Sequence, residues 1–167
     1  EKFSLILALF VHIVYDFETN VLIFEDEQTL RILSNAVEQS SFGLEVDALW
    51  AVTDALTLSF GGTFLDSEYD SFPDSAVGDI SGLTPAVISD VSTSTGGQYA
   101  FTGSGMDAFV RSGWQHSSPA TYTDNQVLQD SIGFEREYNL FNASAGITLN
   151  NDTDITVWGR NIFDEEY

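Results

Sequence analysis

Residues 103–108 (GSGMDA) have the spacing of a dinucleotide-binding loop. A G-x-G-x-x-A segment binds a pyrophosphate only where the loop leads into the N-terminus of a helix. Residues 106–122 alternate apolar and polar side chains as a strand does. We therefore predict that the two glycines form a tight turn between strands and that no nucleotide binds there.

A second segment has the oxygen atoms that open a calcium loop. Asn150, Asp152 and Asp154 alternate as the first ligands of such a loop do. Ile155 stands where the loop needs glycine, and no glutamate closes the site. We interpret this segment as a hairpin turn.

Two histidines are candidate bases for a serine nucleophile. His116 is followed by two serines, and His12 lies in an apolar run. An activated serine needs a sharp strand-to-helix turn and ordered partners, and the sequence contains neither. Cysteine is absent, which removes thiolate chemistry. We predict that the chain is not an enzyme and holds neither a cofactor nor a metal.

The remaining candidates are polar residues inside predicted strands. Glu45, Asp47, Arg111 and Gln115 alternate with large apolar residues. They therefore fall on the non-apolar face of their strands. They either contact a partner or are solvated without one, and the sequence leaves both interpretations open.

The strands that position these residues are predicted from a period of two. Residues 42–50 (FGLEVDALW) alternate large apolar with small or acidic side chains, and residues 56–64 (LTLSFGGTF) alternate apolar with hydroxyl side chains or glycine. The same rhythm predicts about seven strands, at 3–17, 42–50, 56–64, 89–101, 106–122, 137–148 and 153–161. Phenylalanine at every seventh position from Phe3 to Phe24 also suggests a helix, but no polar stripe accompanies it.

The predicted connections alternate in length. Segments 16–30, 66–86 and 123–136 are long and acidic, whereas 51–55, 102–105 and 149–152 are short. Transmembrane β-barrels have short turns on one rim and long loops on the other. Aromatic residues near predicted strand ends, such as Tyr15, Trp50, Tyr69 and Phe72, fit a girdle at the membrane interface. We predict an all-β, antiparallel, up-and-down transmembrane β-barrel, with Glu45, Asp47, Arg111 and Gln115 facing its lumen.

Composition excludes other classes. The 26 Asp and Glu against 5 Lys and Arg give a formal net charge of −21, which disfavours nucleic acid as a partner. The longest apolar run, residues 5–15, is too short for a transmembrane helix. A hydrophobic content of 43% is too high for a disordered tail.

Three stretches together resemble the TonB-dependent outer-membrane receptor family. Residues 35–58 contain "NA", "GxE" and "W-x-x-TD-x-LTL" in that order, and Leu65-Asp66 and Tyr69 continue the pattern. Residues 138–146 are similar to the family's penultimate hairpin. Residues 158–167 (WGRNIFDEEY) match its "W-G-x-N-x-x-D-x-x-Y" ending, which is the most specific of these signals.

This resemblance implies that residues 1–167 are the C-terminal portion of a barrel of about 22 strands, an open fragment of about seven strands without the plug domain and the last strand. It implies a Gram-negative outer membrane and energy-coupled uptake of a scarce nutrient, most commonly a ferric siderophore, with haem, cobalamin, nickel chelates and oligosaccharides open. The partners it implies are outer-membrane lipid, the plug of the same chain, and the inner-membrane TonB complex through the missing N-terminal part.

Two other classes share parts of the pattern. A soluble, secreted, acidic β-sandwich, such as an adhesin or a carbohydrate-binding module, also alternates apolar and polar faces. A passive porin shares the barrel without requiring a plug. The two architectures differ in what covers the apolar face, because a sandwich buries it and a membrane barrel turns it to lipid.

Overall fold

The alternating segments form seven strands. The computed structural model describes residues 2–25, 28–103, 105–125, 130, 135–149 and 153–166. The strands are β1 (Phe3–Glu25), β2 (Gln28–Ala51), β3 (Leu56–Ser71), β4 (Val91–Gly103), β5 (Met106–Thr121), β6 (Glu135–Thr148) and β7 (Asp154–Gly159). The prediction of seven strands is confirmed, and the helix considered for residues 3–17 is wrong.

All seven strands belong to one open sheet. Their order is β1-β2-β3-β4-β5-β6-β7, and each strand pairs with its neighbours antiparallel. The all-β, antiparallel, up-and-down part of the fold prediction is therefore confirmed. The register of the β5–β6 pair shifts between Ser117 and Ala120, and Pro119 lies within this interval. Proline has no N–H for the ladder, so it is accommodated where the pairing is interrupted.

The pairing register gives the sheet two different faces. One cross-strand row consists of Leu5, Ala48, Phe60, Thr95, Trp114 and Phe141, and we call this side the apolar face. The next row consists of Ile6, Asp47, Gly61, Ser94, Gln115 and Leu140, and we call this side the polar face. Paired residues share a face because successive side chains of a strand alternate.

The long connection predicted at 16–30 is wrong. Strand β1 continues to Glu25 and β2 begins at Gln28, so the two strands form one long hairpin. The pairing runs from Phe3↔Trp50 to Glu25↔Gln28. Backbone hydrogen bonds between two strands tolerate acidic side chains, so the charge of this segment did not indicate its conformation. The β1–β2 hairpin extends beyond the end of β3. The rim of the sheet on that side is therefore still the longer one.

The segment between β3 and β4 folds back onto the sheet, and we call residues 72–90 the rim cap. Its small core consists of Tyr69, Phe72 and Ile80, which are 2%, 0% and 4% exposed. The rings of Tyr69 and Phe72 meet edge to face with centroids 5.2 Å apart. The assignment of these two residues to an interfacial girdle is wrong, because the cap encloses their rings in protein. Trp50, in contrast, is 48% exposed at the end of β2.

Two glycines on the polar face lie under phenylalanine rings. A Cβ at Gly43 would overlap the ring of Phe10, its partner on β1, and a Cβ at Gly146 would approach the ring of Phe109, its partner on β5. Each ring lies flat across the neighbouring strand because the glycine has no side chain. These pairs keep large aromatic groups close to the backbone on the polar face.

Candidate functional site

The four strand residues predicted from the sequence share the polar face. Asp47 and Gln115 belong to one cross-strand row, and Glu45 lies in the next row, which continues through Thr63, Ser92 and Ser117. Arg111 lies four residues before Gln115 on β5, so the two side chains are on the same face. The alternation in the sequence was therefore sufficient to place all four on one side of the sheet.

Three of these four residues line one shallow cavity of about 430 Å³. Glu45, Asp47 and Gln115 surround it together with the hydroxyl groups of Ser92 and Ser94. Asp47 and Gln115 are three strand spacings apart, about 14 Å. Both carboxylates are exposed. Among the described residues, no group of three or more His, Cys, Asp or Glu side chains converges as metal ligands do.

Arg111 lies in a different cavity of about 630 Å³. Its Nε donates a 3.0 Å hydrogen bond to Oε1 of Gln98, and its guanidinium lies 5.9 Å from the centre of the Phe109 ring. Trp158 on β7 lines the same cavity and belongs to the same cross-strand row. Gln98 and Trp158 were missed as candidates, although the alternation in predicted strands 89–101 and 153–161 indicated their face.

His116 lies on the apolar face. Its Nδ1 is 3.0 Å from Oδ1 of Asn139, and its ring stacks on Trp114 with centroids 5.6 Å apart. Ser117 points to the opposite face because it is the next residue along the strand. The structure therefore does not bring this histidine and this serine together.

Of the two turn motifs, the glycine turn is described and the second motif is described only in part. Gly103 ends β4, Met106 begins β5, and Gly105 has a φ of 79°, so the predicted glycine turn is confirmed. Asn150 and Asp152 of the other motif lie outside the described residues. Asp154 opens β7 and accepts a 2.7 Å hydrogen bond from Thr148 Oγ1.

A further polar site lies at the rim cap and was missed in the sequence. Asp124 is 7% exposed, and its carboxylate accepts a 2.6 Å hydrogen bond from the Ala86 N–H and a 3.1 Å hydrogen bond from the Tyr69 hydroxyl. Burial raises the pKa of the Asp124 carboxyl above its usual value, and the two hydrogen bonds partly offset that effect. Nothing in the sequence distinguishes Asp124 from the other acidic residues of its loop.

The end of the rim cap is held in a strained conformation. Val87 has a φ of 67°, a conformation that a β-branched residue adopts at a cost of about 1–3 kcal/mol. The Val87 N–H donates a 2.8 Å hydrogen bond to the Thr121 carbonyl, next to the bond between Ala86 and Asp124. The Val87 side chain itself is 64% exposed. Backbone contacts with the β5 end therefore hold this residue in place.

A third cavity, of about 320 Å³, lies between this strained segment and the long hairpin of β1 and β2. We call it the rim cavity. Its lining includes the polar residues Thr19, Asn20, Arg31, Gln39, Tyr69, Tyr122, Thr123 and Asp124. These residues come from β1, β2, the end of β3 and the connection after β5. The sequence did not indicate that these residues lie close together, because residues 16–30 of the hairpin were predicted to be a loop.

The fold and these sites define a class of protein: an all-β chain whose single antiparallel sheet has one polar and one apolar face. No protein-family model matches the chain, and no curated protein and no solved structure matches it either. Within the described ranges, no helix is long and apolar enough to cross a membrane.

Proposed function

We propose that this chain is the C-terminal portion of the β-barrel of a TonB-dependent receptor in a Gram-negative outer membrane. Its role is energy-coupled uptake of a scarce nutrient, with a ferric siderophore as the proposed cargo. The seven strands are then one part of a wall of about 22 strands. The polar face lines the lumen and meets the plug domain, and an N-terminal part of the protein engages the inner-membrane TonB complex.

The observation that carries this proposal is the distribution of charge between the two faces. We define the central band as residues 3–15, 42–50, 57–64, 91–102, 106–116, 139–148 and 154–158. Its Asp, Glu, Lys and Arg residues are Glu45, Asp47, Asp107, Arg111 and Asp154, and the register puts all five on the polar face. Next to the band, toward the rim cap, Asp66 pairs with Phe42 and so lies on the apolar side of β3. A charged side chain on a lipid-facing surface is destabilising, whereas a lumen tolerates it.

None of the described strands covers the apolar face, which is consistent with contact to lipid. Leu7, Leu9, Val11 and Val157 are each at least 60% exposed. All seven described strands belong to one sheet, so none of them forms a second layer against this face. Exposed apolar patches of this extent are unusual on soluble monomers. A bilayer is the environment in which these side chains are stable.

The dimensions of the central band fit a bilayer. Residues 42–50 extend about 30 Å along the strand, which is about 23 Å across the membrane at a tilt of about 40°. The outer-membrane apolar band is about 25 Å tall. Strands β2 and β3 continue well past this band toward the rim cap, as strands do where they lead into extracellular loops.

The two alternatives are less consistent with these observations. A soluble β-sandwich needs a second sheet over the apolar face, and the described strands supply only one sheet. A passive porin fits the sheet equally well. The receptor is favoured over the porin by the resemblance of residues 35–58 and 158–167 to the TonB-dependent family.

A pair of adjacent substitutions tests the membrane orientation. Leu7 lies on the apolar face and Ile6 on the polar face, at the same depth and with similar exposure of 60% and 63%. We expect Leu7→Arg to destabilise the intact protein in lipid vesicles by about 2–4 kcal/mol, because the arginine faces the bilayer midplane. Ile6→Arg is the control, since it lies beside Asp47 on the polar face. Urea titration of the folded protein measures both.

Equal destabilisation by the two substitutions, or recovery of the intact protein from the soluble fraction, would overturn the membrane assignment. Uptake is tested separately by deleting the gene and measuring accumulation of iron supplied as siderophore complexes. We expect the deletion to abolish uptake of at least one complex, and dissipation of the proton gradient to do the same in the wild type. Uptake that survives without the gradient would favour the porin.

A further inference from the structure

The rim cavity has the properties of a site for a small polar ligand. Its volume of about 320 Å³ is at the small end of ligand cavities. The β1–β2 hairpin forms one wall, and residues 85–88 of the rim cap form the other. The bonds of Ala86 to Asp124 and of Val87 to Thr121 hold the cap wall in place. The cavity is therefore formed before any ligand binds.

The side chains around the cavity are mostly neutral hydrogen-bonding groups. Asn20 and Gln39 supply amides, and Thr19 and Tyr122 supply hydroxyl groups. Each of these groups both donates and accepts hydrogen bonds. Such a lining is complementary to a ligand with several hydroxyl groups, which also donate and accept.

Arg31 is the cationic residue of this lining. The chain has only five Lys and Arg residues, and the guanidinium groups of Arg111, Arg136 and Arg160 each lie over an aromatic ring. In the part of the chain that the structure describes, no acidic side chain pairs with Arg31. A guanidinium without an acidic partner among the described residues can donate two parallel hydrogen bonds to a carboxylate, which makes Arg31 a specific binding site for one.

Asp124 also lines the cavity, but its carboxylate already accepts two hydrogen bonds from other groups. Its two carboxylate oxygens accept hydrogen bonds from Ala86 and Tyr69, which direct them toward the cap. Burial also raises the pKa of this carboxyl above its usual value, and the two hydrogen bonds partly offset that effect. Arg31 is thus the positive charge that a ligand in the cavity meets.

We propose that the rim cavity binds a hydroxylated organic acid, whose carboxylate pairs with Arg31 and whose hydroxyl groups contact Asn20, the diagonal neighbour of Arg31 on the β1–β2 hairpin. Binding needs only the hairpin and the rim cap, so this inference goes beyond the proposed function and does not depend on it. In a receptor of the proposed class, the ligand is either a free acid or an acidic arm of a larger cargo.

Three probes that differ by one feature test the proposal. Glucuronate has both a carboxylate and hydroxyl groups, glucose has only hydroxyl groups, and acetate has only a carboxylate. Isothermal titration of the intact protein in detergent should give saturable binding of glucuronate with a Kd below about 1 mM. We expect glucose and acetate to bind at least about tenfold more weakly, because each lacks half of the contacts.

Arg31→Gln should weaken glucuronate binding at least about tenfold and leave the weak binding of glucose unchanged. Arg160→Gln is the matched control, because Arg160 lies over the Trp158 ring and outside the rim cavity. Far-UV circular dichroism checks that each variant keeps its sheet. Saturable binding by the wild type that Arg31→Gln removes and Arg160→Gln retains supports the proposal.

The proposal is overturned if glucuronate binding shows no saturation up to about 10 mM, which is ten times the expected upper limit of the Kd. It is also overturned if glucose binds as well as glucuronate, or if a folded Arg31→Gln variant binds like the wild type. These outcomes are separate from the membrane test. A protein that inserts into vesicles without binding glucuronate keeps the proposed function, and a soluble protein that binds it keeps only this inference.

Discussion

The Tyr69 hydroxyl donates a 3.1 Å hydrogen bond to Oδ2 of Asp124, a residue 55 positions later in the sequence. Both residues are almost completely buried. Because Oδ1 of Asp124 accepts the N–H of Ala86, one carboxylate joins the end of β3, the rim cap and the connection after β5. Four predictions follow from this contact and from the two faces of the sheet.

Tyr69→Phe should loosen the rim cap without affecting the rest of the sheet. The substitution keeps the ring that packs on Phe72 but leaves buried Asp124 with one partner fewer. We expect the opening free energy of residues 83–87 to fall by about 1–2 kcal/mol. Hydrogen exchange measured by mass spectrometry reports this opening. Tyr99→Phe is the control, since Tyr99 is 49% exposed. Identical exchange in the two variants would show that the hydrogen bond does not hold the cap.

Stability of the rim cap should decrease as the pH rises. Burial raises the pKa of Asp124 in the folded state above 3.8, so the folded cap binds a proton more tightly than the open one. The stabilisation is complete below pH 3.8 and is lost as the pH rises through the raised folded pKa. Hydrogen exchange of residues 83–87, corrected for the intrinsic rate, should therefore quicken over this range.

Asp124→Asn should remove this pH dependence, because the amide stays neutral and its oxygen still accepts a hydrogen bond. Asp79→Asn is the control. Asp79 accepts hydrogen bonds from the side chain and the backbone N–H of Ser81, which lower its pKa, and it lies at the solvent-exposed surface. A pH dependence that persists in Asp124→Asn would assign it to another group.

Gly43→Ala should destabilise the β1–β2 pair. The added methyl group would overlap the ring of Phe10, which lies over this glycine, so the ring must leave its position. Overpacking of this kind costs about 1–3 kcal/mol, measured as the change in the free energy of unfolding by urea titration. Gly103→Ala is the control, because no atom lies within 4 Å of a Cβ built there. Equal stability of both variants would contradict the tight Phe10 contact.

Single cysteines at adjacent positions of β4 should differ in their access to water. The natural chain has no cysteine, so Ser94→Cys on the polar face and Thr95→Cys on the apolar face each introduce one thiol. In lipid vesicles, we expect a water-soluble maleimide to label the Ser94→Cys protein at least about tenfold faster, because thiolate formation requires water. After unfolding in urea the two rates should agree. Faster labelling at position 95 would reverse the assigned orientation.

Much of the sheet was predictable because its pattern is local. The period of two in residues 42–50, 56–64 and 106–122 follows from the geometry of a single strand, and it also placed Glu45, Asp47, Arg111 and Gln115 on one face. The glycine turn at 103–105 was predictable for the same reason, since its conformation depends on the residues of the turn itself.

The rim could not be predicted in this way. Residues 16–30 are acidic and lack a clear alternation, so only the pairing of residues 17–25 with residues 28–36 makes those residues strands. Tyr69 was assigned to a membrane interface because aromatic residues are common there, yet the rim cap buries it. Asp124 and Arg31 had no distinguishing sequence signal at all.

The sequence by itself determined the number of strands, their alternation and the confinement of charge to one face within the central band, because each depends on neighbours along the chain. Tertiary structure alone decided the length of the first hairpin, the burial of Tyr69 with Asp124, and the cavity beside Arg31. The physical reason is that these features consist of contacts between distant segments, where the free energy of packing and hydrogen bonding outweighs local preference.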